Sequence, residues 1–196
     1  MKYLLFILVI TILNCENLLA QKDSSSPLAI TIKIEKEYEL KFPKEHFSYE
    51  VGRSSLNITS DSVIQKHFDI EVKLKNNSTE PIFIWLMSCS WDDNFLINNN
   101  YMYFRVEGCD KNIPVLIKIN QGESKTYKST LSKSIKFEYP CKNCLYGPQV
   151  ETTKLGLVLI DDIFQPKLDG LFGYDLAMED KSLWRIIWSN PLHLLR

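Results

Sequence analysis

Glycine is scarce in this chain, with only seven among 196 residues. The loops that cradle phosphates or dinucleotides need several glycines at fixed spacing, and the sequence contains no such loop, no nucleophile elbow and no zinc-protease helix motif. Its three histidines are scattered, so no metal site is predicted. The sequence therefore predicts a protein that is not an enzyme, without catalytic residues and without a cofactor.

A surplus of basic residues is also missing. The formal net charge is −1, with no block of lysine and arginine. Proteins that bind nucleic acid usually present a basic field to the phosphate backbone, so no nucleic-acid partner is expected. Beyond the N-terminus, no apolar run approaches the roughly 20 residues of a membrane-spanning helix, and no transmembrane segment is predicted.

The N-terminus has the charged, apolar and small-residue order of a secretory signal peptide. We expect residues 1–20 to be this signal peptide, residues 21–27 a short polar tether, and residues 28–196 a single domain. A secreted or periplasmic location follows. The stretch ITILNC also loosely resembles a bacterial lipoprotein box, which leaves a lipid anchor at Cys15, on the cell envelope, as an alternative.

Alternation of apolar and polar residues predicts the fold class. Residues 68–74 alternate strictly, as in a half-buried strand of an antiparallel sheet, whereas residues 81–87 are apolar throughout, as in a central strand covered on both faces. Further strands are predicted at 30–42, 101–106, 115–119, 124–131, 155–161 and 183–188. Only one short helix, of one or two turns, is predicted, at 174–181. This pattern favours an all-β protein with a single antiparallel β-sandwich.

The cysteines that follow the leader carry the main functional ambiguity: Cys89, Cys109, Cys141 and Cys144. Disulfides are the default in an oxidising compartment, and we favour the pairs Cys89–Cys109 and Cys141–Cys144. The second pair is a CxxC, but Gly147 and Pro148 stop the helix that a redox-active cysteine needs. A zinc site would need a second knuckle of the same spacing. A periplasmic metal-binding or thiol redox protein that uses all four cysteines is the alternative.

An aromatic and acidic segment follows the apolar strand. Together with one tyrosine of the CxxC loop, it gives a candidate binding surface: Trp91, Asp92, Asp93, Phe95 and Tyr146. Aromatic rings beside carboxylates form a ligand platform of the kind that sugar-binding modules use. The structural alternative is a core tryptophan packed against a disulfide, as in immunoglobulin-like sandwiches. The loops at 88–100 and 139–149 are the expected contact surfaces.

The order of motifs resembles the immunoglobulin-like modules of bacterial secreted proteins. The motifs are F.IEVKLKNNSTEPIFI, INQGESKTY and WRIIWSNPLHL, within residues 68–194, and SCSWDDNF with GCDKNIP is similar to small uncharacterised secreted proteins of Bacteroidota-type bacteria. The resemblance implies an immunoglobulin-like sandwich and supplies no catalytic residues. We therefore expect a secreted non-catalytic module that binds a protein or an envelope ligand. A secreted protease inhibitor that presents one of its loops is a further alternative.

Overall fold

The computed structural model of the protein describes residues 26–47, 56, 58–105, 109–138 and 152–193. Most of these residues lie in β-strands: β1 (Leu28–Pro43), β2 (Ser62–Asn76), β3 (Ile82–Met87), β4 (Phe95–Ile97), β5 (Met102–Phe104), β6 (Pro114–Ile119), β7 (Ser124–Lys133), β8 (Thr152–Thr153), β9 (Leu155–Leu159), β10 (Arg185–Trp188) and β11 (Leu192–His193). The described helices are α1 (Ile135–Glu138) and α2 (Gly170–Glu179). Neither has the length and apolar character that crossing a bilayer requires. The predicted all-β class is confirmed.

The described strands pair antiparallel throughout. The largest sheet has the order β1–β2–β7–β5, and a second has the order β10–β9–β4. In addition, β3 pairs with β6 and β11 pairs with β8. A bulge shifts the register of β1 between Ile34 and Lys36. Bulges redirect the side chains beside them, and this one lies next to the cavity described below.

The alternate apolar residues of β2 contribute to the main hydrophobic core. Phe68, Ile70, Val72 and Leu74 are each at most 1% exposed, as their sequence pattern predicts. They belong to a cluster that collects buried side chains from each of the sheets described above. Full burial of such side chains contributes about 1.5–3 kcal/mol each. This cluster is therefore the main source of the hydrophobic stabilisation of the fold.

The continuous apolar run in β3 is covered on both faces, which confirms the interpretation of its sequence. Ile82, Ile84 and Leu86 join the main cluster and are at most 1% exposed. The alternate residues Trp85 and Met87 pack against a separate cluster with residues of α2. Both faces of this strand are apolar because each face has its own partner.

Several element boundaries differ from the sequence-based expectation. Helix α2 begins at Gly170 rather than at residue 174. Its sequence shows little helical periodicity because apolar residues lie on its exposed side, at Phe172 and Leu176, as well as on its buried side. The strand predicted at 183–188 begins at Arg185 because Lys181–Leu183 forms a 3-10 turn. The side chain of Asp180 caps this turn by accepting the backbone N–H of Ser182 at 3.0 Å.

Candidate ligand-binding cavity

A cavity of about 480 Å³ lies beside the 3-10 turn Trp91–Asn94. Its described lining comes from β1, β2, β5 and β7 and from the chain between β3 and β4. Small-molecule sites occupy roughly 300–1,000 Å³, so the cavity has the size of a ligand site. Trp91, Asp92 and Asp93, which the sequence places on a candidate binding surface, all line it.

The cavity wall that carries Trp91 is linked to the segment of the same polypeptide that contains Cys109 and Asn112. A disulfide joins Cys89 to Cys109 with Cα atoms 6.2 Å apart, and so confirms this predicted pair. The side-chain oxygen of Asn112 accepts the backbone N–H groups of Cys89 and Ser90 at 3.3 and 3.2 Å. The amide of Asn112 donates to the hydroxyl of Ser90, which donates to the carboxylate of Asp93. These links join the segment that carries Trp91 to the chain around Asn112.

Trp91 is half-buried and belongs to the core and to the cavity at once. Its ring lies 5.3 Å from that of Phe95, edge to face, and 5.2 Å from that of Tyr127. Phe104, which also lines the cavity, lies 6.2 Å away, and such aromatic pairs stabilise one another beyond their buried area. The core and platform interpretations of this tryptophan are therefore compatible, because the residue both packs against the main cluster and lines the cavity.

The remaining predicted site residues lie elsewhere. Phe95 is 6% exposed, belongs to the main core cluster and does not line the cavity. Tyr146, Cys141 and Cys144, with the predicted contact loop at 139–149, lie outside the described residues.

Carboxylates on the cavity wall have donors supplied by the protein. Asp69 accepts the hydroxyl hydrogen of Thr130 at 2.8 Å, and Asp92 accepts that of Ser129 at 3.3 Å. Glu35 pairs with the ammonium of Lys33 at 2.8 Å, and this hydrogen bond lowers the pKa of Glu35. The carboxylates of the cavity lining thus already accept hydrogen bonds from side chains of the protein.

The cationic side chains on the wall are Lys36, Arg105 and Lys128. The ammonium of Lys36 lies 5.1 Å from the ring centre of Tyr38. Within the described ranges, the ion pairs involve Lys33, Lys66 and Lys125, so neither Arg105 nor Lys128 has a carboxylate partner there. The pKa of Glu35 is lowered first by Lys33 and further by the charge of Lys128, and Lys128 lies opposite Glu71 in the pairing of β2 with β7.

Sequence reasoning missed Asp69, Arg105 and Lys128 as site residues. The antiparallel pairing places Asp69 opposite Thr130, and the backbone N–H of Arg105 donates to the carbonyl of Thr130 at 2.8 Å. Alternation shows that such side chains face away from the core, but it does not give the register that brings β2, β5 and β7 together at this point.

Metal binding finds no support in the described part of the chain. No group of three or more His, Cys, Asp or Glu side chains there is placed to hold an ion. Cys89 and Cys109 are joined to each other, and sulfurs in a disulfide are not thiolate ligands. With this disulfide formed, only Cys141 and Cys144 remain for the alternative in which the protein binds a metal or acts as a thiol redox protein.

Comparison with known proteins adds no family assignment. No protein-family model, no curated protein and no solved structure matches the chain. The functional conclusion therefore depends on the cavity and on the chemistry of its walls.

Proposed function

We propose that the protein is a secreted, non-catalytic, immunoglobulin-like β-sandwich module that binds a ligand in the cavity beside Trp91. The sheets β1–β2–β7–β5 and β10–β9–β4, with a core shared between them, support a sandwich. The motif order supports the immunoglobulin-like form of it. In such modules, loops at the ends of the strands carry the binding function.

A single observation carries the binding function. The cavity brings an aromatic ring, hydrogen-bonded carboxylates and the cations Lys36, Arg105 and Lys128 into one recess. The disulfide and Asn112 join the segment that carries Trp91 to the one that contains Cys109. The lining is mainly polar and charged, with Ile70, Trp91 and Phe104 as its large apolar side chains.

A secreted location is part of the proposal. The signal-peptide pattern at residues 1–20 supports export, and the disulfide is of the kind that persists in oxidising compartments. Intact-mass measurement of the exported protein tests it. An unacylated chain that starts at Gln21 is expected, whereas an acylated chain that starts at Cys15 would establish the lipid-anchored alternative.

An array of extracellular saccharides and peptides, probed with the purified protein, tests the binding function. We expect a defined set of ligands to bind, and Trp91→Ala to lose that binding. Trp91→Phe is measured alongside it because a ring of this kind preserves the contacts with the core. Trp188→Ala is the matched control, since Trp188 is exposed and does not line the cavity. Equal binding by the Trp91 variants and the original protein would exclude the cavity as the site.

A further inference from the structure

We propose that a second copy of this chain covers the exposed side of α2, with α2 of each copy packed against β6 of the other around a two-fold axis. The α2–β6 surface consists of six exposed residues: Leu116 and Lys118 on β6, and Phe172, Asp175, Leu176 and Glu179 on α2. None of them lines the cavity, so the inference goes beyond the proposed function and does not depend on it.

The exposed side of α2 carries large apolar side chains. Phe172 is 75% exposed and Leu176, one turn further on, is 52% exposed, whereas Tyr174 and Ala177 are buried against the protein. Side chains four residues apart are neighbours on a helix, so Phe172 and Leu176 form one patch. Contiguous exposed apolar side chains mark interaction surfaces, whereas single ones do not.

Strand β6 extends this apolar patch beside the helix. Leu116 pairs with Trp85, and paired residues of an antiparallel ladder point to the same face of the sheet. The ring of Trp85 lies 6.2 Å from that of Tyr174, so Leu116 faces the side on which α2 packs. Lys118 lies two residues further along the strand and shares that face. Leu116 is 39% exposed, and Lys118 is exposed as well.

The charges on the two elements have opposite signs. Asp175 and Glu179 lie one turn apart on the exposed side of α2, and the helix contains neither lysine nor arginine. Lys118 provides a cation beside Leu116 on β6. The surface therefore has an apolar and acidic half on α2 and an apolar and basic half on β6.

This division of charge favours a second copy as the partner. Because α2 and β6 are adjacent in one copy, a two-fold axis that brings α2 onto β6 of the partner also brings β6 onto α2 of the partner. Direct packing of α2 on α2 would bring acidic side chains together, which like-charge repulsion disfavours. The same acids disfavour an anionic membrane surface.

Sedimentation velocity of the exported protein tests the inference between about 1 and about 200 µM, a range that covers micromolar affinities. We expect a monomer in equilibrium with a dimer, since a small interface gives a weak association. Phe172→Glu should raise the Kd of the dimer at least about tenfold, because it places a carboxylate in the desolvated contact. Phe172 is highly exposed in one copy, so this variant is expected to fold, and an unchanged circular dichroism spectrum checks that it does.

Charge reversal tests the contact between α2 and β6. Lys118→Glu should raise the Kd about tenfold, and so should Asp175→Lys combined with Glu179→Lys. The triple substitution inverts every charge of the α2–β6 surface and should return the Kd to within about threefold of the original value. Lys41→Glu, a charge reversal at an exposed position on β1, is the control and should leave the Kd unchanged.

The outcomes that overturn the inference are distinct from those that concern the cavity. A monomer at every concentration would overturn it, and so would a dimer whose Kd is the same in Phe172→Glu. Failure of the triple substitution to restore a dimer that both sets of reversals weaken would overturn the pairing of α2 with β6. Phe172-dependent binding of phosphatidylcholine vesicles by a monomeric protein would assign the surface to a membrane instead. Each result leaves the binding test of Trp91 unaffected.

Discussion

Buried side-chain amides hold two of the turns that shape this protein. Asn76 is fully buried at the end of β2, and its amide donates to the carbonyls of Glu80 and Ile119 at 2.7 and 3.0 Å. Its side-chain oxygen accepts the backbone N–H of Ser78 at 2.8 Å. Asn94, also fully buried, donates to the hydroxyl of Tyr174 at 2.8 Å and thereby links the cavity turn to α2. Each amide, itself fully buried, has its own polar atoms satisfied by these hydrogen bonds.

Removing the first of these amides should destabilise the whole domain. We expect Asn76→Ala to lower the free energy of unfolding by about 2–4 kcal/mol, because it removes four side-chain hydrogen bonds, including the one to the carbonyl of the buried Ile119. Equilibrium unfolding in urea measures the change. The next residue provides the control: Asn77 is exposed, so Asn77→Ala should change stability by less than about 0.5 kcal/mol. Similar losses for the two variants would contradict the role given to Asn76.

A buried histidine makes stability depend on pH. His67 is 2% exposed, its Nδ1 lies 3.0 Å from the hydroxyl of Ser132, and its ring stacks on Tyr38. Its Nε2 has no hydrogen-bond partner in the described part of the protein. Burial lowers the pKa of His67 below the ordinary 6.5, the charge of Arg105 lowers it further, and Asp69 opposes both. The neutral imidazole is therefore the form that the fold accommodates.

The sign of the pH dependence follows from that lowered pKa. The stability contributed by neutral His67 should be present in full above pH 6.5 and lost as the pH falls through the lower pKa of the folded state. Urea unfolding between about pH 8 and about pH 5 measures it, above the range in which most carboxylates titrate. His67→Leu should flatten this dependence, because it removes the buried titrating group. An undiminished slope in His67→Leu would disprove the assignment.

At the scale of elements, β9 and β10 approach each other over a glycine. A Cβ atom at Gly156 would lie 2.7 Å from Cγ2 of Ile186 and 2.8 Å from Cζ3 of Trp188. These distances are shorter than van der Waals contact, so a larger residue forces the outer face of β10 to shift. Trp188 pairs with Gly156, and two atoms of its ring lie within 2.9 Å of the Cβ position of that glycine.

Two glycine substitutions should therefore have opposite signs. Gly156→Ala is expected to destabilise the protein by about 1–3 kcal/mol through overpacking. Gly173→Ala in α2 is the matched control, because its Cβ would lie 3.7 Å from the nearest side chain, and alanine favours a helix by about 0.5–1 kcal/mol. Thermal unfolding compares the two variants with the original protein. A stabilising Gly156→Ala would show that β10 does not pack closely on β9.

The disulfide element should contribute to stability and to the shape of the cavity. Cys89 and Cys109 are 20 residues apart, and closing a loop of that length restricts the unfolded chain by about 3 kcal/mol. The double substitution Cys89→Ser with Cys109→Ser should lower the free energy of unfolding by about that amount. Urea unfolding under non-reducing conditions measures it. No change in stability would mean that this bond does not constrain the unfolded chain.

The motif WSN, at residues 188–190, connects the end of β10 to other strands through two side chains. The hydroxyl of Ser189 accepts the backbone N–H of Leu155 at 3.0 Å. The side chain of Asn190 accepts the N–H of Ile32 at 2.8 Å and donates to its carbonyl at 3.2 Å. Asn190 thus pairs with β1 as a neighbouring strand would, and it ties the end of β10 to the largest described sheet.

For the whole molecule, sequence periodicity was sufficient for the fold class and insufficient for the site. The alternation in β2 and the apolar run in β3 identified the buried residues because each strand shows its own pattern of burial. Trp91, Asp92 and Asp93 were found because they are neighbours in the chain. Arg105, Lys128 and Asp69 reach the same cavity through strand pairing. The geometry of that pairing is a property of the assembled sheets and cannot be obtained from any one segment.

The central claim is that the cavity beside Trp91 is the binding site. A nuclear magnetic resonance titration of nitrogen-15-labelled protein with an array-selected saccharide tests it most directly. We predict that the indole N–H signal of Trp91 and the backbone signals of Ser90, Arg105 and Lys128 shift together as the cavity fills. Exposed apolar residues of α2, chiefly Phe172 at 75% exposure, should remain unchanged. Shifts confined to α2, with the Trp91 indole unaffected, would contradict the claim.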